Sequence, residues 1–180
     1  MSTFLKQFVD DIEQINTEGV KWVHPQNKST CVSKVYPIIC SCDAVARCML
    51  QGIQQFNGAY GCSYCLNKGI VVPKGRGFTR VYPPDEAAAR THEHLIECGE
   101  RALQNRETHV LGVKTVSPLI LLNPSTGFDM IESFPVDYMH CALLGVTKQF
   151  LDMWLNSKNH AFPWYIGTSK NQRDQKLLSI

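Results

Sequence analysis

Three small groups of residues in this chain combine side-chain type and spacing in ways that can do chemistry. The first is a single carboxylate, Asp43, between a β-branched run and a helical pattern. An acid at such a junction can project from a strand edge and hold a hard cation such as magnesium. It can equally cap the helix by accepting a backbone N–H, and the two roles are compatible. The second group is Cys62 and Cys65, whose CxxC spacing lets two thiolates face one zinc ion. Zinc takes four ligands, and the candidates for the others are His92, His94, Asp137, His140, Cys141, Cys40 and Cys42. The alternative is a pair of reduced thiols in a packed loop. The third group is Asp137 and His140, three apart at a helix start and so on one face. That pair can orient a metal or a phosphate, or serve as a capping aspartate with a histidine bonded into the core. Lys74, Arg76 and Arg80 make a modest basic loop able to touch phosphates, or simply a solvated one.

The elements that must position these groups follow from periodicity. Phe4, Leu5, Phe8, Val9, Ile12 and Ile15 recur at helical spacing, which predicts a helix over 3–16 ended by Gly19. The polar stretch 21–30 with Pro25 reads as a loop. Val32, Val35, Tyr36, Ile38 and Ile39 predict a buried strand over 31–40, with Pro37 favouring an edge or a bulge. A helix follows Asp43 and closes at Gly52. Glycines and small polar residues over 57–77 predict irregular structure around the cysteines. The longest helix is expected over 85–105, with Asp85 and Glu86 in its first turn. The apolar run 110–122 holds a short strand or packed loop, and 123–127 is a turn. A second amphipathic helix is expected over 136–156, carrying Met139, Leu143, Val146, Phe150, Leu151 and Trp154. The stretch 157–180 is mostly polar. With one strong strand and one weak one, the fold class is α+β, mostly helical, with an incomplete sheet.

Composition narrows the classes. With 180 residues, 44% hydrophobic and 19% charged, the chain suits one globular domain rather than a disordered segment. A formal net charge of +2 is too small to argue for nucleic acid by itself. The opening residues show no apolar core before a small-residue cleavage site, so no signal peptide is expected. No apolar run approaches the roughly 20 residues that span a bilayer, and no membrane or small-molecule partner is expected. The eight cysteines are irregularly spaced, which suits reduced thiols in an intracellular compartment. A thioredoxin-type role is not expected, because no helix pattern begins at Cys62.

Taken in order, the motifs resemble the transposase of CACTA-class DNA transposons. The matching residues are Cys42-Asp43-Ala44-x-Ala46-Arg47, where Val45 stands in place of the usual proline, and Gly58-x-Tyr60-Gly61-Cys62-x-x-Cys65. Further along come Gly112-Val113-Lys114-x-x-Ser117-Pro118-Leu119 and Asp137-Tyr138-Met139-His140-x-x-Leu143-Leu144-Gly145-Val146-x-Lys148. The resemblance implies a partial RNase H-like core over 1–156 with a CxxC insertion near 57–77, and a polar segment over 157–180. It implies magnesium chemistry on three acids, of which Asp43 matches the second. The first would lie on a strand before Met1 and the third in a helical region beyond Ile180. Cys62 and Cys65, with Asp137 and His140, match signatures of the segment after the second acid. The expectation is a transposon-derived fragment without catalytic activity, binding DNA weakly through Arg47, Lys74, Arg76 and Arg80, in the nucleus. The alternative is a zinc-stabilised module that binds protein or nucleic acid.

Overall fold

A computed structural model of the chain describes residues 2–84, 86–167 and 169–178. It divides into two compact units, Met1–Pro135 and Val136–Ile180.

The first unit begins with helix α1, Ser2–Glu18, close to the range predicted from its apolar spacing. Leu5 and Val9, four apart and therefore on one face, are buried, and α1 packs on a 3-10 turn at Pro118–Leu122. Strands β1, Val20–Val23, and β2, Thr30–Ser33, form an antiparallel hairpin pairing Trp22 with Cys31. The stretch expected to be a loop is therefore partly strand. Its turn is held by Asn27, whose Oδ1 accepts from the Ser29 N–H, and by Lys28 in the left-handed region at φ 59°. The buried strand expected over 31–40 ends at Ser33. Beyond it the chain forms no ladder, Pro37 has no N–H to give one, and Ile38 and Ile39 are 70% and 65% exposed.

Helix α2, Ala44–Gln51, starts after Asp43 and stops at Gly52 as the sequence predicts. Gly52 sits in the left-handed region at φ 70°, and a Cβ there would come within 2.4 Å of the Thr115 carbonyl oxygen. The segment expected to be irregular over 57–77 holds most of a second hairpin, β3, Ile70–Lys74, and β4, Gly77–Val81. Residues 57–69 around the cysteines are irregular as expected, and Gly75 serves the hairpin turn.

Helix α3 runs His92–Asn105, seven residues shorter at its start than predicted. Two constraints remove that start. Ala88 O accepts from Leu66 N, and Arg90 N donates to Tyr64 O, so 88–90 pairs with the cysteine loop instead of coiling. Thr91 then caps the helix, its side chain accepting from His94 N at 3.2 Å. Glu86 is thus outside the helix, whose first-turn acid is Glu93, and Asp85 lies outside the described residues. The longest helix is α1, with 17 residues against 14. The run 110–122 is packed loop with a bridge between Val110 and Val113, and a one-turn helix α4, Asn123–Thr126, occupies the predicted turn. Val113, Leu122, Met130 and Phe134 fill the core with Leu95, Cys98 and Ala102 of α3. Buried Gln51 donates to the Met130 carbonyl within it.

The second unit holds a π-helical segment, Tyr138–Thr147, that continues into helix α5, Lys148–Leu155, and, after a 3-10 turn at Ser157–Asn159, helix α6, Lys170–Leu177. A single α-helix over 136–156 was expected. The i→i+5 pattern of a π-helix breaks the 3.6-residue stripe, so Met139, Leu143, Val146, Phe150, Leu151 and Trp154 do not line one buried face, and all are exposed or partly so. Helix α6 closes its start with a capping box, Ser169 with Gln172.

The fold is α+β: helices dominate, and the two hairpins stay separate two-stranded sheets among the described residues. No helix among them is long and apolar enough to cross a membrane. Because Gly52 combines a positive φ with a close carbonyl, Gly52→Ala should lower stability by more than about 1 kcal/mol, a fall of about 2–4 °C in Tm per kcal/mol at this chain length. Thermal unfolding followed by circular dichroism measures it.

Candidate functional site

Asp43 heads α2 with extended backbone, φ −63° and ψ 165°, and its Oδ1 accepts from the Ala46 N–H at 2.7 Å. This is the N-cap role. One turn on, the Arg47 guanidinium donates from Nη1 to the Tyr64 hydroxyl at 2.7 Å and lies over the Tyr64 ring, 5.1 Å from its centre. The Tyr64 hydroxyl donates onward to the Phe134 carbonyl at 2.8 Å. The Asp43 helix and the cysteine loop are thereby fastened together.

The loop itself has the hydrogen bonding of a knuckle. Tyr64 N donates to Cys62 Sγ at 3.4 Å. Burial pushes the Cys65 thiol above its ordinary value, opposed by a nearby backbone N–H. Beside the loop lies Arg90, 3% exposed. Its Nε donates to the Cys62 carbonyl at 2.9 Å, and its Nη2 donates to the carbonyls of Tyr60 and Leu111 at 2.7 and 2.9 Å. No carboxylate pairs with it among the described residues. Desolvation lowers its pKa, opposed by the neighbouring Cys62, Cys98 and Cys65 thiols. Nothing in the local sequence marks Arg90, since it follows three alanines in a helix-like run. The one usable signal is Thr91, a good N-cap that would have placed Arg90 outside the helix.

The remaining candidates are dispersed. His92 is buried and structural: its Nδ1 accepts from the Met130 N–H at 3.1 Å and lies 4.0 Å from Asp129. His94 faces Cys98 one turn later, Nε2 to Sγ 3.4 Å, and burial holds its imidazole below the usual range. Cys40 and Cys42 neighbour each other, and burial pushes the Cys42 thiol up to about 11, so it is protonated at neutral pH. Asp137 and His140, in the second unit, bond directly to each other. Asp137 also caps the π-helical segment, accepting from Met139 N at 3.0 Å, and His140 holds its carboxyl below the usual range. Cys141 is exposed in that unit.

Among the basic residues, Arg47 and Arg80 are committed to structure, Arg80 donating to the carbonyls of Lys68 and Gly69 at 3.1 Å each. Lys74 and Arg76 are exposed at the tip of the β3–β4 hairpin.

These positions bear on metals in two ways. A two-ion magnesium site needs several carboxylates, Asp43 has its Oδ1 taken by Ala46 N, and among the described residues no three His, Cys, Asp or Glu side chains gather into a group able to hold a metal; the residues present do not fit such a site. Cys62 and Cys65 fit the two-thiolate half of a zinc site. Among the described residues no third His, Cys, Asp or Glu joins them in a group able to hold a metal. No family model, no curated protein and no solved structure matches this chain.

The cap geometry makes a direct prediction. Asp43→Ala should cost about 1 kcal/mol of stability, whereas Asp43→Asn, an equally good cap, should leave it nearly unchanged. Urea unfolding of the three proteins measures both.

Proposed function

We propose that this chain is a transposon-derived segment of an RNase H-like transposase core of the CACTA class, without strand-cutting activity of its own. The observation that carries the reading is the stretch from Val35 to Asp43. It is rich in β-branched and aromatic residues, forms no ladder, exposes Val35, Tyr36, Ile38 and Ile39, and delivers an acid to the first turn of a helix. That run has the composition of a strand without forming one, and the acid after it heads a helix, the place the resemblance gives its second catalytic position. The second unit supports the same reading, because its described apolar side chains, Tyr138, Leu144 and Phe150 among them, are not buried within it.

The parent chemistry holds two magnesium ions about 4 Å apart with carboxylates on both sides of the scissile phosphate. Asp43 alone does not supply that; its role is to cap the helix. DNA contact in this reading is weak and electrostatic, through Lys74 and Arg76, and the compartment is the nucleus. The chain should therefore show no cleavage or joining of DNA with magnesium or manganese in a gel assay. Metal-dependent cleavage that disappears in Asp43→Ala would overturn the reading.

A second reading is favoured by the environment of Cys62 and Cys65: a zinc-stabilised binding module. A backbone N–H points at the Cys62 sulfur, and the buried Arg90 guanidinium, with no carboxylate partner among the described residues, stands beside the loop. Cys62 and Cys65 would supply two of the four ligands of a zinc ion, their two thiolates offsetting its charge. On this reading purified protein contains about one zinc per chain, and chelation lowers its Tm, because metal binding is folding free energy. Metal-free protein that melts unchanged in chelator leaves a packed thiol pair.

A further inference from the structure

The β3–β4 hairpin is an unusual surface for so nearly neutral a chain. From Ala44 to Pro84 there is no Asp or Glu, while Arg47, Lys68, Lys74, Arg76 and Arg80 fall in the same stretch. The net charge of +2 hides this, because the acids lie elsewhere. Arg47 and Arg80 are tied to the body of the unit, but Lys68, Lys74 and Arg76 are exposed and make no ion pair among the described residues.

The hairpin geometry concentrates that charge at a projecting tip. Gly75 and Arg76 form a two-residue connection between paired Lys74 and Gly77, with Gly75 at φ 59°. A positive φ at the first turn position matches the twist of the flanking strands. A Cβ built at Gly75 or Gly77 meets nothing within 4 Å, so the tip stands in open space. Just behind it Phe78 is 78% exposed, opposite Pro73, with Val71 and Arg80 the next pair on the same face. Period-2 alternation puts Lys74 on the other face. The hairpin thus offers an uncovered aromatic ring just behind a cationic tip, in a stretch free of carboxylates.

We propose that the β3–β4 hairpin binds single-stranded nucleic acid, with a base stacked on Phe78 and the backbone phosphates held by Lys74, Arg76 and Lys68. Charge complementarity selects the occupant: an apolar protein surface needs no such excess of cations, whereas a polyanion with exposed π-faces uses both features. Duplex DNA would engage the cations but leave Phe78 without a base to stack on. The inference shares with the proposed function only the premise that the chain meets nucleic acid. It requires neither a transposase origin nor a metal.

Fluorescence anisotropy with a labelled oligo-dT of about 12 nucleotides in about 50 mM salt tests it on the full chain. Binding is expected, and Phe78→Ala should weaken it about 5- to 150-fold while a duplex of equal length binds the variant and the original alike. Phe78→Tyr should retain affinity. The double variant Lys74→Ala, Arg76→Ala should weaken both probes and flatten the slope of log K against log salt by about 1.4 on the single strand. Circular dichroism and Tm should match the original chain for all three variants, since these side chains are exposed. Absence of oligo-dT binding, undiminished binding by Phe78→Ala, an equal loss on duplex, or binding indifferent to salt would each overturn the proposal. The last would point to an apolar protein partner. None of these outcomes touches the cleavage assay, so the two readings fail separately.

Discussion

The buried guanidinium of Arg90 is the constraint from which the arrangement of the first unit follows. Removing such a charge from water costs several kcal/mol, and here three carbonyls, not a carboxylate, offset it. Two of those carbonyls belong to Tyr60 and Leu111, bulky residues held in the left-handed region at φ 58° and 45°. Each such residue carries about 1–3 kcal/mol of strain, comparable to a hydrogen bond from a charged donor, about 1.5–3 kcal/mol. The clamp and the two strained turns therefore sustain one another. The same contact draws 88–90 alongside the cysteine loop, which shortens α3 and brings the thiols of Cys62, Cys65 and Cys98 around one cation.

A second tie, Arg47 to Tyr64 to Phe134, joins the Asp43 helix to that loop. The two arginines fasten the Asp43 helix, the cysteine loop and the Leu111–Gly112 turn to one another. The acid, the knuckle and the Gly112 turn are far apart in sequence, yet Gln54 N reaches the Gly112 carbonyl and Lys114 N reaches that of Gly52. The chemistry this brings together is sulfur and guanidinium rather than carboxylate. Apolar surface tells a complementary story: the buried side chains lie on α1, α2, α3 and the turns after it, while the β-branched run before Asp43 and the second unit's helices leave theirs uncovered.

The parts of this protein legible in its sequence were those governed by local rules. The range of α1, the Asp43 start and Gly52 stop of α2, and the mostly helical α+β class with an incomplete sheet all follow from spacing, caps and turn residues within a few positions. Misreadings arose where composition and partner disagreed. Val35 to Ile39 have strand composition, but a strand exists only when another pairs with it. The stretch 21–30 is polar overall, but 21–23 pair with β2. The run 85–91 has helical composition, yet backbone pairing to 64–66 competes for it.

By itself, then, the sequence determined which residues can cap, turn, ligate and bind phosphate, because those properties belong to single side chains and their near neighbours. Tertiary structure alone decided which of them act together. It consumed Arg47 and Arg80 in structural contacts, left Lys74, Arg76 and Phe78 in open space, and put His92 into the core. It also gave Arg90, a residue with no motif around it, the central place. The physical reason is that burial and hydrogen-bond satisfaction are set by groups distant in the chain, and a charge out of water must find its partners wherever the fold brings them.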